Sequence, residues 1–142
     1  MNRVLIIEDE ISMAESVKEA LKLNNVVADI ANDGEKGLEK FKSSEYDLVL
    51  LDLKMPKMSG EQVLSEIRRI NPYMDVIVYT AHKEFEDLKT LTNIGIDGYV
   101  NKGADAELNE IVDKILALLS PMSKDEIKVL VRHTPKELFE CE

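Results

Sequence analysis

Cysteine is almost missing from this sequence of 142 residues, since Cys141 is the only one. A single cysteine cannot form a disulfide within the chain, and a lone thiol beside the end of a chain is usually incidental. No apolar run approaches the roughly 18 residues of a membrane span, and residues 1–3 lead directly into a strand pattern without a signal peptide. We therefore expect a cytoplasmic protein that does not bind a membrane.

Basic residues are also in short supply. The chain has 18 lysines and arginines against 28 aspartates and glutamates, which gives a formal net charge of −10. Because binding to phosphate backbones requires a basic face, this balance argues against a direct nucleic-acid partner and favours hydrated cations. The length suits one domain with a sizeable core, and the hydrophobic share of 44% is ordinary for a globular protein.

What the sequence does have is a regular alternation of short apolar runs and helix-like segments. The predicted strands are residues 4–7, 26–30, 48–51, 75–80 and 97–100. The predicted helices are residues 11–23, 35–41, 61–70, 84–93 and 105–119. Residues expected on the inward faces of the helices include Ile11, Ala14, Val17, Leu21, Ile70 and Leu118. Such alternation predicts an α/β fold, with a doubly wound sheet of five parallel strands between two layers of helices.

Asp52 directly follows the apolar run 48–51, and a loop with proline, serine and glycine, residues 55–60, comes next. A short run flanked by turn residues is typical of a central strand. Open α/β sheets bind ligands at the carboxyl ends of their strands, so this carboxylate is a candidate site residue. The alternative for Asp52 alone is a turn or a helix cap.

Polar residues end or follow other predicted strands in the same way. Glu8 and Asp9 follow the first strand, Thr80 ends the fourth, and Lys102 follows the fifth. Taken singly, each has a plain interpretation: the acidic start of a helix, a β-branched strand end, a solvated lysine. Those interpretations do not explain why all of these residues end successive strands. Parallel strands bring their carboxyl ends to one edge, so we expect one shared site.

The expected site has the parts needed for phosphoryl transfer. Three neighbouring carboxylates repel one another, and a divalent cation such as Mg²⁺, which prefers oxygen ligands, relieves that repulsion. Lys102 supplies a fixed positive charge and Thr80 a hydroxyl, with backbone N–H groups as further donors. Asp52, at the centre, is the natural nucleophile and would form an acyl phosphate.

These residues resemble those of a known family. Glu8-Asp9, Asp52, Thr80 and Lys102 look like the acid pair, phosphoacceptor, switch hydroxyl and lysine of response-regulator receiver domains, the CheY-like superfamily of two-component signalling. Residues 55–60, Met-Pro-Lys-Met-Ser-Gly, resemble the family's MP-x-M-x-G loop. The similarity covers residues 3 to about 119 and implies a flavodoxin-like strand order, 2-1-3-4-5.

The resemblance implies a switch that is operated by phosphorylation. A histidine kinase would donate the phosphoryl group of its phosphohistidine to Asp52. The expected ligands of Mg²⁺, for which Mn²⁺ can substitute, are Glu8 through water, Asp9, Asp52 and the backbone carbonyl of Lys54. On this interpretation the chain is a regulated protein rather than an enzyme.

Tyr99 stands at the position of the family's switch aromatic. The resemblance implies that Thr80 and Tyr99 move inward on phosphorylation and remodel the face made by the fourth helix, the fifth strand and the fifth helix. That face would contact a downstream protein partner or output domain, or a second copy in a homodimer. Lys54, Ala81 and His82 occupy positions that control access to the phosphoryl group, and His82 is expected at the surface rather than as a catalytic base.

Other functions for the same fold remain open. An aspartyl-nucleophile phosphatase would need a second aspartate at position 54, where this chain has Lys54. A flavodoxin-like nucleotide binder would need a Gly- or Ser/Thr-rich loop after the first strand, where this chain is acidic. An interaction module that works without phosphorylation would not need the complete site. One departure from the family is Gly103, which replaces the usual proline after the lysine and disfavours a cis peptide bond there.

Residues 1–120 are expected to form the receiver domain, and residues 121–142 a C-terminal extension. The extension has capping-box patterns at residues 123–126 and 134–137, which predict two short helices. These would pack on the domain, on another copy or on a partner; the alternative is a poorly ordered tail. The chain is then either a stand-alone receiver or the receiver portion of a longer regulator.

Overall fold

The computed structural model describes residues 2–80, 85–101 and 107–119. Strands and helices alternate along them: β1 (Arg3–Ile7), α1 (Ile11–Lys22), β2 (Val27–Ala31), α2 (Gly34–Ser43), β3 (Leu48–Asp52), α3 (Gly60–Ile70), β4 (Asp75–Thr80), α4 (Phe85–Ile94), β5 (Gly98–Asn101) and α5 (Glu107–Leu119). The predicted elements are confirmed, with bounds that differ by at most two residues and agree for β4. Residue 84, where the fourth helix was predicted to begin, residues 105 and 106, where the last helix was predicted to begin, and the expected extension, 121–142, lie outside the described residues.

The five strands form one parallel sheet in the order β2-β1-β3-β4-β5, which confirms the expected topology. β1 and β3 are neighbours at its centre, with Ile7 opposite Leu51. Asp52, the last residue of β3, lies opposite Tyr79 of β4. Because all strands run the same way, the residues that follow β1 and those that end β3 meet at one edge of the sheet.

The core has two layers, one on each face of the sheet. Alternate residues of β1 and β3 face opposite layers, so Val4 and Leu48 pack with α1 and α5, while Leu5 and Val49 pack with α2, α3 and α4. All four side chains are fully buried. Each buried aliphatic side chain contributes about 1.5–3 kcal/mol to folding. Because helices cover both faces of the sheet, these strands are apolar along their length instead of alternating between apolar and polar residues.

Side-chain caps fix the starts of two helices near the carboxyl edge of the sheet. The Asp33 carboxylate accepts a hydrogen bond of 2.7 Å from the backbone N–H of Lys36, at the start of α2. Ser59 and Gln62 form a reciprocal capping box at the start of α3. Such caps satisfy N–H groups that have no partner in the first turn. The capping box thereby fixes the loop between β3 and α3 at its α3 end.

The prediction was wrong for three side chains that it placed on inward helix faces. Ile11 is 57% exposed, Ile70 39% and Leu118 36%. Ile11 and Ile70 are the first and last residues of their helices, where a side chain has a neighbouring turn on only one side. Leu118 stands next to Leu119, which is 6% exposed and takes the inward position in the last turn of α5. The middle of α1 is buried as predicted, at Ala14, Val17 and Leu21. In the ranges given above, no helix is long and apolar enough to cross a membrane.

Candidate functional site

Three carboxylates meet at the carboxyl edge of the sheet. One oxygen each from Glu8, Asp9 and Asp52 lies within 4.8 Å of the others. The register explains the meeting: Ile7 lies opposite Leu51, so the next residues, Glu8 and Asp52, are side by side. The sequence prediction that these three acids come together is therefore confirmed.

The three acids differ in their surroundings. Glu8 and Asp52 are buried, with exposed fractions of 0% and 1%, whereas Asp9 is exposed. The backbone N–H of Glu8 donates to the carbonyl oxygen of Ala31 over 3.0 Å, which continues the pairing of β1 with β2 beyond the strand. Asp9 therefore borders solvent at the mouth of the cluster, and the other two carboxylates form its floor.

Asp52 is held by the chain that follows it. The backbone N–H of Lys54 donates a hydrogen bond of 3.1 Å to Oδ1 of Asp52. The N–H of Leu53 reaches the carbonyl of Tyr79 at 3.4 Å, and the N–H of Gly60 donates to the carbonyl of Leu53 over 3.1 Å. These bonds fix the carboxylate at the end of β3 and fold the loop of residues 54–59 back against it.

The donor set suits a hard divalent cation. Mg²⁺ binds carboxylate oxygens together with water, and three carboxylate oxygens within 4.8 Å of one another can share one ion. Two of these carboxylates are buried, and like charges so close repel unless a cation compensates them. The residues present therefore fit a magnesium site.

The remaining predicted site residues are only partly described. Thr80 is the last residue of β4, and its backbone lies opposite Asn101. The Thr80 side chain lies outside the part of the chain that the structure describes, as do Ala81, His82, Lys102 and Gly103 in full. Their predicted roles stay predictions.

Tyr99 lies in β5, opposite Val78, and is partly buried against the core layer that contains α3 and α4. Lys114 of α5 donates a hydrogen bond from Nζ to the carbonyl oxygen of Tyr99 over 2.9 Å. The sequence analysis missed this contact between α5 and β5. The sequence does contain a signal for this contact, because Lys114 stands between Ile111 and Ile115, which the helical period places on the inward face of α5.

Arg68 was also missed, and it joins several loops at the opposite edge of the sheet. From the last turn of α3, its guanidinium donates to the carbonyls of Gly95 (2.9 Å) and Met74 (2.5 Å) and pairs with Asp97 at 3.0 Å. The Asp97 carboxylate also accepts the N–H of Val76 over 2.9 Å. Only the three-dimensional structure shows these partners, because a basic residue in the last turn of a helix is common for reasons of the helix dipole alone.

Comparison with known proteins gives a consistent result. The family model described as the response regulator receiver domain matches residues 4–115. The response regulator ArlR of Staphylococcus saprophyticus is 34% identical over 155 aligned positions, which cover 100% of this chain and 69% of ArlR.

Solved structures agree with this match. The response regulator TrrA of Thermotoga maritima, in complex with Mg²⁺ and BeF, is 36% identical, with a TM-score of 0.73 over 83% of this chain and 99% of TrrA. A CheY-like response regulator receiver domain protein of Methanospirillum hungatei is 26% identical, with a TM-score of 0.78 over 90% of this chain and 98% of that protein.

Proposed function

This chain belongs to the response regulator receiver domain family, whose general function is phosphorylation on an aspartate in two-component signalling, and on that premise we propose that Asp52 is the phosphorylated residue. One observation carries the proposal: Asp52 ends the central strand β3, and its carboxylate lies within 4.8 Å of those of Glu8 and Asp9. Within the described part of the chain, the one other aspartate that shares a site with two further acids is Asp9 of the same cluster, which is exposed and lies outside the strands.

In the proposed reaction, a carboxylate oxygen of Asp52 attacks the phosphorus of a kinase phosphohistidine. An O–P bond forms and the P–N bond breaks, and the leaving nitrogen keeps the electron pair of that bond. The imidazole leaves as a neutral group when its other nitrogen carries a proton, and otherwise it takes up a proton from solvent. The hydrogen bond from the Lys54 N–H to Oδ1 holds the carboxylate in one orientation, so little reorganisation precedes the attack. Lys102 and Thr80 are proposed to bind the phosphoryl oxygens.

Glu8, Asp9, Asp52 and the backbone carbonyl of Lys54 are proposed to hold Mg²⁺, for which Mn²⁺ can substitute. The bound ion supplies positive charge where negative charge collects on the phosphoryl oxygens. The similar TrrA was solved with Mg²⁺ and BeF, which supports the choice of metal. The chain's own contribution is the cluster of two buried acids and one exposed acid at the end of β3.

The output is proposed to pass through the face made by α4, β5 and α5. Tyr99 and Thr80 are the proposed switch residues, while Lys54, Ala81 and His82 control access to the phosphoryl group. The face would contact a downstream protein partner or output domain, or a second copy in a homodimer, and the chain would not bind nucleic acid directly.

The remaining parts of the proposal concern the chain as a whole. Residues 1–120 are the receiver and residues 121–142 an extension. The protein acts in the cytoplasm, as a regulated protein rather than as an enzyme.

The test is phosphorylation by a small-molecule phosphodonor, read by intact mass with Mg²⁺ or with a chelator. The wild type should gain one phosphoryl group only with Mg²⁺, and Asp52→Asn should gain none. Asp113→Asn, an exposed aspartate of α5, is the matched control and should behave as the wild type. No gain on the wild type would contradict the mechanism, and an equal gain on Asp52→Asn would contradict the choice of residue.

A further inference from the structure

The loop between β3 and α3 contains a strained turn. The backbone N–H of Met58 donates to the carbonyl oxygen of Pro56 over 2.9 Å, and Lys57, between them, has a φ angle of 72°. A three-residue turn with a positive φ at its centre is the rare and strained form of the γ-turn, and a positive φ is uncommon for a residue with a β-carbon. Such a conformation persists only where surrounding contacts impose it, and it occurs most often at functional sites.

The side chain of Met58 packs against the start of α2. A β-carbon on Gly34, the first residue of α2, would lie 3.2 Å from Cβ and 3.4 Å from Cγ of Met58. Met58 is partly buried and also contacts the core layer that contains α2, α3 and α4. Because the Asp33 side chain caps the start of α2, Met58 packs on a fixed part of the backbone. Gly34 leaves the space in which Met58 lies.

Open space borders Met58 on two sides. One groove of about 410 Å³ lies between Met58 and α2, where its lining includes Glu35 and Leu38. A second groove of about 610 Å³ lies along the first turns of α3, where its lining includes Gln62 and Ser65. Since the side chain is not enclosed, its contacts with Gly34 and the core layer are what hold it in place.

The same loop carries Lys54, and hydrogen bonds tie its two ends together. The N–H of Lys54 donates to Oδ1 of Asp52 over 3.1 Å, and the N–H of Gly60 donates to the carbonyl oxygen of Leu53 over 3.1 Å. Between these two bonds, Met58 attaches the loop to α2. A loop that is closed at its ends and attached near its middle has little freedom to turn its carbonyl groups. The orientation of the Lys54 backbone therefore depends on the contact that Met58 makes.

We propose that Met58 is a positioning residue that orients the backbone of Lys54 for the metal ion. The inference rests on the proposed function, because it takes the carbonyl of Lys54 to be a ligand of Mg²⁺. The turn at Lys57 directs Met58 toward α2, Gly34 leaves room for it there, and the attached loop presents Lys54 to the carboxylates. Residues that hold a metal ligand in place without touching the metal change its affinity by roughly 10–100-fold when they are replaced. By this contact α2 acts on a site that β1 and β3 form.

Amide NMR of the full chain tests the proposal, first without metal and then in a titration with Mg²⁺. In Met58→Ala, hydrogen exchange at the Lys54 amide should be about tenfold faster in the metal-free protein, and the Kd for Mg²⁺ about tenfold higher. Met58→Leu keeps an apolar side chain against Gly34 and should restore both values to those of the wild type. The matched control is Ile96→Ala, at a partly buried residue that packs on the same core layer outside the loop. It should lower the Tm about as much as Met58→Ala does, because both remove a partly buried apolar side chain, and leave the exchange at Lys54 and the Kd unchanged.

Three results would overturn the inference alone. Met58→Ala could keep the wild-type exchange rate and Kd, or Ile96→Ala could change both values as much, which would attribute the effect to lost stability. Faster exchange at Lys54 with an unchanged Kd would also overturn it, since Met58 would then order the loop without acting on the metal. A wild type that binds no Mg²⁺ would overturn the proposed function together with this inference, so the two failures are distinguishable.

Discussion

A β-carbon on Gly60 would lie 2.8 Å from the carbonyl oxygen of Asp52 and 2.5 Å from the Cα atom of Leu53. Both neighbours are backbone atoms, which cannot rotate away as a side chain can. The start of α3 therefore packs directly on the end of the strand that carries the proposed phosphoacceptor. Glycine at this position allows the start of α3 to pack directly against the backbone of Asp52 and Leu53.

Gly60→Ala should displace the end of β3 and slow the phosphorylation of Asp52. We expect a loss of about 1–3 kcal/mol in the free energy of unfolding from overpacking. The phosphorylation rate should fall by roughly tenfold or more, since small misplacements of a reacting group are costly. The measurements are denaturant unfolding and the rate of mass gain from a small-molecule phosphodonor.

Gly98→Ala is the control for this prediction. Its new β-carbon would lie 3.2 Å from Cγ1 of Ile77, a buried side chain rather than backbone, and Gly98 is at the start of β5, away from the carboxylates. Its phosphorylation rate should stay close to that of the wild type. A wild-type rate in folded Gly60→Ala would show that the close approach does not position Asp52.

Asp29 should make the stability of the domain sensitive to acid. Burial raises the pKa of its carboxyl, but the hydrogen bonds from Tyr46 (2.8 Å) and Arg3 (2.6 Å), together with the charges of Arg3 and Lys40, outweigh burial and lower the pKa overall. A carboxyl with a lowered pKa in the folded state stabilises above its unfolded pKa and loses that contribution as the pH falls through the folded value. The difference in unfolding free energy between wild type and Asp29→Asn should therefore shrink as the pH falls from about 5 toward 2. A constant difference over that range would contradict this account of Asp29.

Tyr46 should produce the opposite dependence at alkaline pH. Burial, the hydrogen bond to Asp29 and the negative charge of Asp29 raise the pKa of Tyr46 to about 12. Its contribution is complete below the unfolded pKa of about 10 and is lost as the pH rises toward the folded value. Tyr46→Phe should cost about 1–2 kcal/mol at neutral pH and little at about pH 11. The control is Tyr73→Phe, at a tyrosine that is 91% exposed, which should leave the free energy of unfolding unchanged at both pH values. A cost of Tyr46→Phe that is the same at both pH values would count against the prediction.

Mg²⁺ should stabilise the folded protein through the three-carboxylate cluster. A ligand that binds only the folded state at ten times its Kd adds about 1.4 kcal/mol to the free energy of unfolding. Asp9→Asn should abolish the rise in Tm on addition of Mg²⁺. Glu10→Gln removes one negative charge at the neighbouring residue, which is exposed and lies outside the cluster, and this variant should retain the rise in Tm. Equal responses of the two variants would show that the effect of Mg²⁺ arises from general charge screening.

The fold was predictable because each local pattern agrees with the global arrangement. Residues 48–51 are apolar without alternation, and all four are fully buried in a central strand. Once the strands are parallel, their carboxyl ends must share an edge, and because β1 and β3 are neighbours in the sheet, Glu8, Asp9 and Asp52 meet there. The helix caps at Asp33 and Ser59 likewise stand where turn residues precede periodic segments.

Other features depend on geometry that no local pattern encodes. Glu8 and Asp9 are adjacent acids, yet one is buried and the other exposed, because only the first continues the pairing of β1. Ile11 fits the helical period, but the end of a helix does not share the burial of its middle. Arg68 contacts Gly95 and Asp97, which lie more than twenty residues further along the chain. The spacing of residues in the sequence does not indicate such contacts.

The most direct measurement of the central claim is the chemical identification of the phosphorylated residue. After reaction with a phosphodonor and Mg²⁺, borohydride reduces a phosphoaspartate to homoserine, and peptide mass spectrometry then locates the change. The account predicts homoserine at position 52 alone, and none without Mg²⁺. Reduction at another aspartate, or a phosphoryl group that borohydride leaves on a hydroxyl or imidazole, would contradict it.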